Sequence, residues 1–282
     1  MEFSHPMPTP RPTLIGLPYD AGSSFLTGAR LAPPVIRQAL HSPSGNAWSE
    51  SLIDTSSPGV LDDAGDLPLE RDETARPAIE AAIRRLVTEG RTPIALGGDH
   101  SVTFPILSAL RPAWPTLSLL HIDAHPDLYE EFEGQRFSHA CPFARIMEQG
   151  LADSLTQVGI RALTGHQREQ AERFGVEIID MRAWTRGSRP VLHGPLYVSI
   201  DLDALDPAFA PGVSHPEPGG LSMREVLDIL QTMPGPIAGA DIVELNPSLD
   251  PMGLTARVAA KLVKELVSRI LESAPGFGLP SE

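Results

Sequence analysis

Residues 117–129 read L-S-L-L-H-I-D-A-H-P-D-L-Y. An apolar run suited to a buried strand gives way to Asp123, His125 and Asp127, so two carboxylates and an imidazole occupy alternate positions where the strand should stop. Carboxylates that close repel one another, and in a buried setting they must be protonated or neutralised by a cation. Alternation along an extended chain points the three side chains the same way, and Pro126 restricts His125 to extended backbone. One divalent ion can collect all three, a reading that competes with a plain acidic turn after a strand.

The pattern recurs. Residues 196–207, L-Y-V-S-I-D-L-D-A-L-D-P, repeat the apolar run and then place Asp201 and Asp203 two apart. Residues 93–101, P-I-A-L-G-G-D-H-S, end a further run in paired glycines that let the backbone turn sharply and set His100 at the strand terminus. Residues 237–245, I-A-G-A-D-I-V-E-L, carry Glu244 near the end of the last run. The remaining strands are expected at 13–17, 155–160 and 176–180, with a short edge element at 60–67.

Helical spacing is found at 73–89, 102–110, 142–148, 165–174 and 255–271, the last through Val258, Leu262, Leu266 and Ile270. The segment 32–40 begins A-P-P, which suits a helix with proline in its first turn. Ser222 with Glu225 three residues on marks a capping box for a helix over 222–230. Segments 41–59 and 208–220 are rich in Pro, Gly and Ser and read as loops. Strands alternating with helices predict a single α/β domain over 13–282, a largely parallel sheet with helices on both faces in three layers, after a loose proline-rich tail over 1–12. Ligands bind outside the carboxyl ends of such sheets, and His100, Asp123, His125, Asp127, Asp201, Asp203 and Glu244 all follow or finish strands.

Composition narrows the partners. A net charge of −14 over 282 residues argues against nucleic acid, which needs a basic face, and is compatible with a cationic ligand drawn to an acidic cleft. No apolar run reaches the length of a membrane span, so a membrane partner is not expected. A single cysteine, Cys141, excludes an internal disulfide framework, and it reads as a buried small residue without a base partner. With no signal-like start, these features predict a cytoplasmic location.

The candidate ligands are four carboxylates and two imidazoles. Their charge matches two divalent cations, which bridging carboxylates would set roughly 3.5 to 4 Å apart. Oxygen-rich ligation with two histidines and no thiolate favours manganese over zinc, while affinity order alone leaves nickel and cobalt open. A water shared by two such ions becomes hydroxide near neutral pH, and the implied reaction is hydrolysis.

These segments resemble the ureohydrolase family of arginases and agmatinases. Residues 97–101 (G-G-D-H-S), 123–127 (D-A-H-P-D) and 199–207 (S-I-D-L-D-A-L-D-P) look like its three signatures, in order. Residues 23–30 (S-S-F-L-T-G-A-R), 132–148 and 209–222 are closest to the plant-type branch, and the resemblance runs from about residue 13 to the final helix. It implies an arginase-like fold and two Mn2+ per subunit, bridged by Asp123 and Asp201. His100 and Asp127 would complete one ion, and His125 and Asp203 the other. His139 would shuttle a proton to the leaving amine, Glu244 would bind the substrate guanidinium, and Asp127 joins them in the catalytic set. The implied reaction is hydrolysis of arginine or agmatine to urea and ornithine or putrescine by a metal-bridging hydroxide, within arginine or polyamine metabolism. A homo-trimer or homo-hexamer is implied by resemblance alone.

The chain also departs from the family. The loop with which animal and many bacterial arginases hold the α-carboxylate is replaced by residues 128–138, and residues 159–164 (G-I-R-A-L-T) lack the aspartate those enzymes place near the α-amine. Another guanidino compound such as guanidinobutyrate therefore stays open as substrate. A single-zinc deacetylase-like enzyme is a rival reading that His100 and Asp127 oppose, and a catalytically silent metal-binding relative is another. His121 is expected behind the ligands or in the core, His215 either at the substrate or holding its loop, and Asp99 and Asp206 orienting backbone.

Overall fold

Most of the strands form where short apolar runs lie between turn residues. The computed structural model describes residues 10–273 and contains β1 (Arg11–Gly16), β2 (Asp62–Asp66), β3 (Arg91–Leu96), β4 (Ser118–Ile122), β5 (Ser154–Val158), β6 (Glu177–Ile179), β7 (Leu196–Asp201) and β8 (Ile237–Val243). Among the described residues the helices are α1 (Ala32–Leu40), α2 (Ala75–Thr88), α3 (Thr103–Leu110), α4 (Pro142–Glu148), α5 (Gly165–Phe174), α6 (Met181–Thr185), α7 (Met223–Thr232) and α8 (Leu254–Glu272). The strands make one eight-stranded sheet in the order β2-β1-β3-β8-β7-β4-β5-β6, with every neighbouring pair parallel. The expected single α/β domain with a parallel sheet is what forms.

A parallel sheet is stable only when both faces are covered. One core holds apolar side chains of α1, α6, α7 and α8, including the stepped residues Val258, Leu262, Leu266 and Ile270, against Leu14, Ile94, Leu120, Val198 and Ile242. On the other face Ile79 and Ile83 of α2, Ile106 and Leu107 of α3, Phe143 of α4 and Ala171 of α5 pack on Ile15, Ala95, Leu119 and Tyr197. The capping box forms as expected: the Ser222 side chain accepts the N–H of Glu225, whose Oε2 accepts the Ser222 N–H at 2.8 Å.

This topology inserts β7 and β8, the last strands made, between the two halves of the sheet built earlier. The carboxyl ends of β3, β8, β7 and β4 therefore lie side by side at its centre. Register adds a second feature. Gln157 of β5 pairs with His121 of β4, His121 with Ser199 of β7, and Ser199 with Asp241 of β8, so a row of polar side chains crosses four neighbouring strands. All four are fully buried.

The structure differs from expectation in three places. β1 begins at Arg11, inside the stretch assigned to the tail; residues 1–9 of that tail and residues 274–282 lie outside the described residues. Helix α6 was not anticipated, because M-R-A-W-T is too short for periodicity; the Asp180 side chain starts it by accepting the N–H of Ala183 at 2.7 Å. Strand β4 stops at Ile122, so strand alternation is not what gathers Asp123, His125 and Asp127.

Candidate metal centre and active site

The same local device ends three of the four central strands. After β3, Asp99 accepts the N–H of Ser101 at 3.0 Å; after β4, Asp123 accepts that of His125 at 2.6 Å; at the end of β7, Asp201 accepts that of Asp203 at 2.8 Å. An aspartate bonded to the backbone two residues on turns the chain and presents the intervening or following side chain to the sheet edge. Asp127 then sits at φ +49° and Glu244 at φ +67°. Left-handed backbone costs a residue with a side chain about 1–3 kcal/mol and persists where the surroundings impose it. Gly98 serves the same crowding, since a Cβ there would lie 2.3 Å from the Leu17 carbonyl oxygen.

His100 is completely buried, and its Nδ1 lies 3.1 Å from Asp123 Oδ2, 3.1 Å from Asp201 Oδ2 and 3.3 Å from Asp127 Oδ2. Beside it, His125 Nδ1 lies 3.1 Å from Asp203 Oδ2 and 3.5 Å from Asp123 Oδ1. All six residues picked from the sequence as ligands thus converge. Burial first, then the neighbouring charges of Asp203 and Asp123, drives the Asp201 carboxyl well above the usual range. Burial and Asp123 raise Asp203 to about 6. A cation would relieve that repulsion.

The polar row settles which nitrogen His100 offers. Ser199 Oγ donates its hydrogen to Asp241 Oδ1 at 2.7 Å and so must accept from His100 Nε2, 2.8 Å away. Asp241 is held in turn by the hydroxyls of Thr103 (2.9 Å) and Tyr197 (2.7 Å). With a proton on Nε2, Nδ1 is the nitrogen turned to the three carboxylate oxygens; burial opposes a charge on the ring, but Asp123, Asp127 and Asp201 outweigh it and raise its pKa well above the usual value, so without a cation Nδ1 keeps a proton. A divalent cation bound by Nδ1 and these carboxylates would take the place of that proton.

His121 is the opposite case. Its geometry also groups it with His100 and Asp123 as a possible ligand. However, the Gln157 amide donates to its Nδ1 at 2.9 Å and to the Pro126 carbonyl at 2.7 Å, so Nε2 carries the hydrogen it gives to Asp123 Oδ2 at 2.7 Å. Stacked 3.7 Å from the Phe143 ring, His121 orients Asp123 and has no lone pair to offer a metal.

Glu244 is buried next to this cluster. Its Oε1 accepts the His100 N–H at 2.9 Å and faces His139 Nδ1 at 3.0 Å. Burial would lower the His139 pKa, but the Glu244 bond and charge outweigh it and raise it to about 9, so the ring is protonated at neutral pH. Burial would raise Glu244; His139 and the His100 N–H outweigh that and lower it. Ser24 Oγ lies 2.9 Å from His139 Nε2. A cavity of about 280 Å³ opens over these groups, with Tyr129, Phe132, Thr164, Gln167 and His215 in its wall. His215 is thereby placed at the cavity, 5.1 Å from His139 between ring centroids. Asp99 and Asp206 hold backbone, Asp206 through the N–H groups of Ala208, Gly219 and Gly220. Cys141 is buried, which pushes its thiol up to about 12.

Sequence reasoning passed over Gln157, Ser199, Asp241 and Arg161. The Arg161 guanidinium donates to the carbonyls of Gly159, Asp203, Ala204, Leu205 and Glu217, tying the Asp203 turn to the proline-rich loop. For Ser199 and Asp241 the available signal was a polar residue inside an otherwise apolar strand.

The fold gathers at one sheet edge a buried carboxylate and imidazole cluster suited to a metal-dependent hydrolase. The sequence model of the Arginase family matches residues 11–268, and the chain belongs to that family. It is 45% identical over 276 residues to "Arginase 1, mitochondrial" of Arabidopsis thaliana, covering 92% of this chain and 80% of that one. It is 39% identical to the N(1)-aminopropylagmatine ureohydrolase of Thermus thermophilus, over 88% of this chain and 86% of that one. The solved arginase of Medicago truncatula superposes with a TM-score of 0.87 at 44% identity, over 93% of this chain and 88% of that one. The cytoplasmic location expected from the sequence is overturned by the mitochondrial naming of the Arabidopsis relative, which points to an organelle. A lone cysteine reports redox conditions, not a compartment. Among the described residues no helix is long and apolar enough to cross a membrane.

Proposed function

We infer that this protein is a binuclear manganese ureohydrolase that cleaves the guanidino group of a small cationic substrate, arginine or agmatine, to urea and ornithine or putrescine. The observation that carries the reading is the buried His100 Nδ1 turned to the carboxylates of Asp123, Asp127 and Asp201 at 3.1 to 3.3 Å, alongside Glu244. His100, Asp123, Asp127 and Asp201 would hold one ion, and Asp123, His125, Asp201 and Asp203 the other. When bound, the two ions supply positive charge and acidify a water for attack on the guanidinium carbon.

Glu244 spends Oε1 on His100 and His139, which leaves Oε2 for the guanidinium, a cation whose planar fork suits a carboxylate. His139 holds a proton at the cavity wall for the departing nitrogen. Arg161 and the polar row keep the donors in place without touching substrate. A single-ion, deacetylase-like arrangement does not use His100 and Asp127, which here share one cluster with Asp123 and Asp201. The assembly expected with this reading is a homo-trimer or homo-hexamer.

Asp201→Asn tests the two-ion site. It should abolish urea release and reduce bound manganese together, as counted by elemental analysis. An active Asp201→Asn protein carrying one ion would refute the two-ion claim.

A further inference from the structure

His139 meets an obstacle as a proton donor. When protonated, its ring has two N–H groups and no lone pair, and both hydrogens already have acceptors in the protein. Nδ1 lies 3.0 Å from Glu244 Oε1, and Nε2 lies 2.9 Å from Ser24 Oγ. No hydrogen of the ring is therefore aimed at a substrate. Ser24 can supply one: a hydroxyl that accepts from an imidazolium keeps its own hydrogen for another partner, and the Ser24 side chain lines the cavity with His139 and Glu244. The loop that carries Ser24 is fixed on both sides. Before it, the Gly22 N–H donates to Asp99 Oδ2 at 2.7 Å, and the Gly22 carbonyl accepts the His139 N–H at 3.0 Å and the Ser138 hydroxyl at 3.2 Å. After it, the Leu26 carbonyl accepts from Ser214 Oγ at 2.7 Å and from Asn246 Nδ2 at 3.1 Å. Ser24 itself is exposed, so solvent reaches the hydroxyl as well.

We propose that Ser24 passes the proton of His139 to the departing nitrogen. As the C–N bond breaks, its electron pair stays with the nitrogen, which takes the hydrogen of Ser24 Oγ. In the same step Oγ takes the hydrogen of His139 Nε2, and the ring is left neutral. The Nε2 lone pair then accepts from the Ser24 hydroxyl through the same 2.9 Å contact, and solvent at Ser24 restores the proton. Glu244 keeps the Nδ1 hydrogen throughout and so holds the ring while Nε2 makes the transfer. This rests on the ureohydrolase reading.

The test uses the manganese-loaded full chain with whichever of arginine and agmatine it hydrolyses, and with the oxyguanidine analogue of that substrate, in which oxygen replaces the carbon bonded to the departing nitrogen. That nitrogen leaves more readily and depends less on a proton donor. Ser24→Ala removes the hydroxyl, and Ser24→Thr keeps it. General-acid transfer typically contributes about 100-fold or more in rate, so kcat of Ser24→Ala on the guanidino substrate should fall about 100-fold with KM within about threefold. Its loss on the analogue should stay below about tenfold, and Ser24→Thr should stay within about tenfold of wild type on both. Bound manganese should match wild type in each variant. An unchanged kcat in Ser24→Ala overturns the proposal. So does an equal loss on both substrates, or a loss of bound manganese, since either would make Ser24 only a support for its neighbours. A wild type that releases no urea from any guanidino substrate fails the ureohydrolase reading and this proposal with it, an outcome distinct from an active enzyme indifferent to Ser24→Ala.

Discussion

Ser199→Ala should weaken one metal site and spare the other. The Ser199 hydroxyl has one hydrogen, given to Asp241, and its oxygen accepts from His100 Nε2 at 2.8 Å. Removing it leaves a buried N–H without an acceptor, worth about 1–3 kcal/mol. The metal-free protein escapes that cost by giving up the Nε2 proton while Nδ1 keeps one, which carboxylate oxygens at 3.1 to 3.3 Å accept. A metal must then displace that proton. Loss of a hydrogen bond behind a ligating histidine typically costs about 10–100-fold in affinity, or about 1.4–2.8 kcal/mol, which agrees with the buried-donor figure. Calorimetric titration of the apoprotein with manganese should show one site weakened by that factor, with the site containing His125 and Asp203 within about threefold of wild type. Equal weakening of both sites, or of neither, would refute the assignment of His100 Nδ1 as a ligand set by Ser199.

Glu244→Gln should lower kcat/KM by about 10–100-fold, because the charge facing the guanidinium is lost, while bound manganese stays at the wild-type count. Loss of metal in that variant would show that Glu244 belongs to the metal set instead. The Cys141 thiol, pushed up to about 12 by burial, should stay unmodified by iodoacetamide at pH 8 in the native protein and react once denatured; rapid native alkylation, read by mass spectrometry, would contradict its placement.

The metal cluster was legible because charge that ends an apolar run is conspicuous: Asp123, His125, Asp127, Asp201 and Asp203 violate the pattern around them. Their means of convergence was not. Alternation along a strand predicted one shared side, whereas the chain leaves β4 at Ile122 and uses aspartate-to-backbone turns. The polar row was harder still. Gln157, Ser199 and Asp241 each look like an ordinary polar position, and only the strand order β5-β4-β7-β8 with its register aligns them with His121. Long-range register has no local signature. Location failed for a different reason, since an interior suited to a reducing environment does not distinguish compartments.

The most direct test of the account is urea release by the manganese-loaded protein, with arginine, agmatine and 5-guanidinopentanoate supplied at matched concentrations. The account predicts manganese-dependent urea formation that chelation removes and manganese restores. Protein that carries two manganese ions per chain yet forms no urea from any of the three would contradict it.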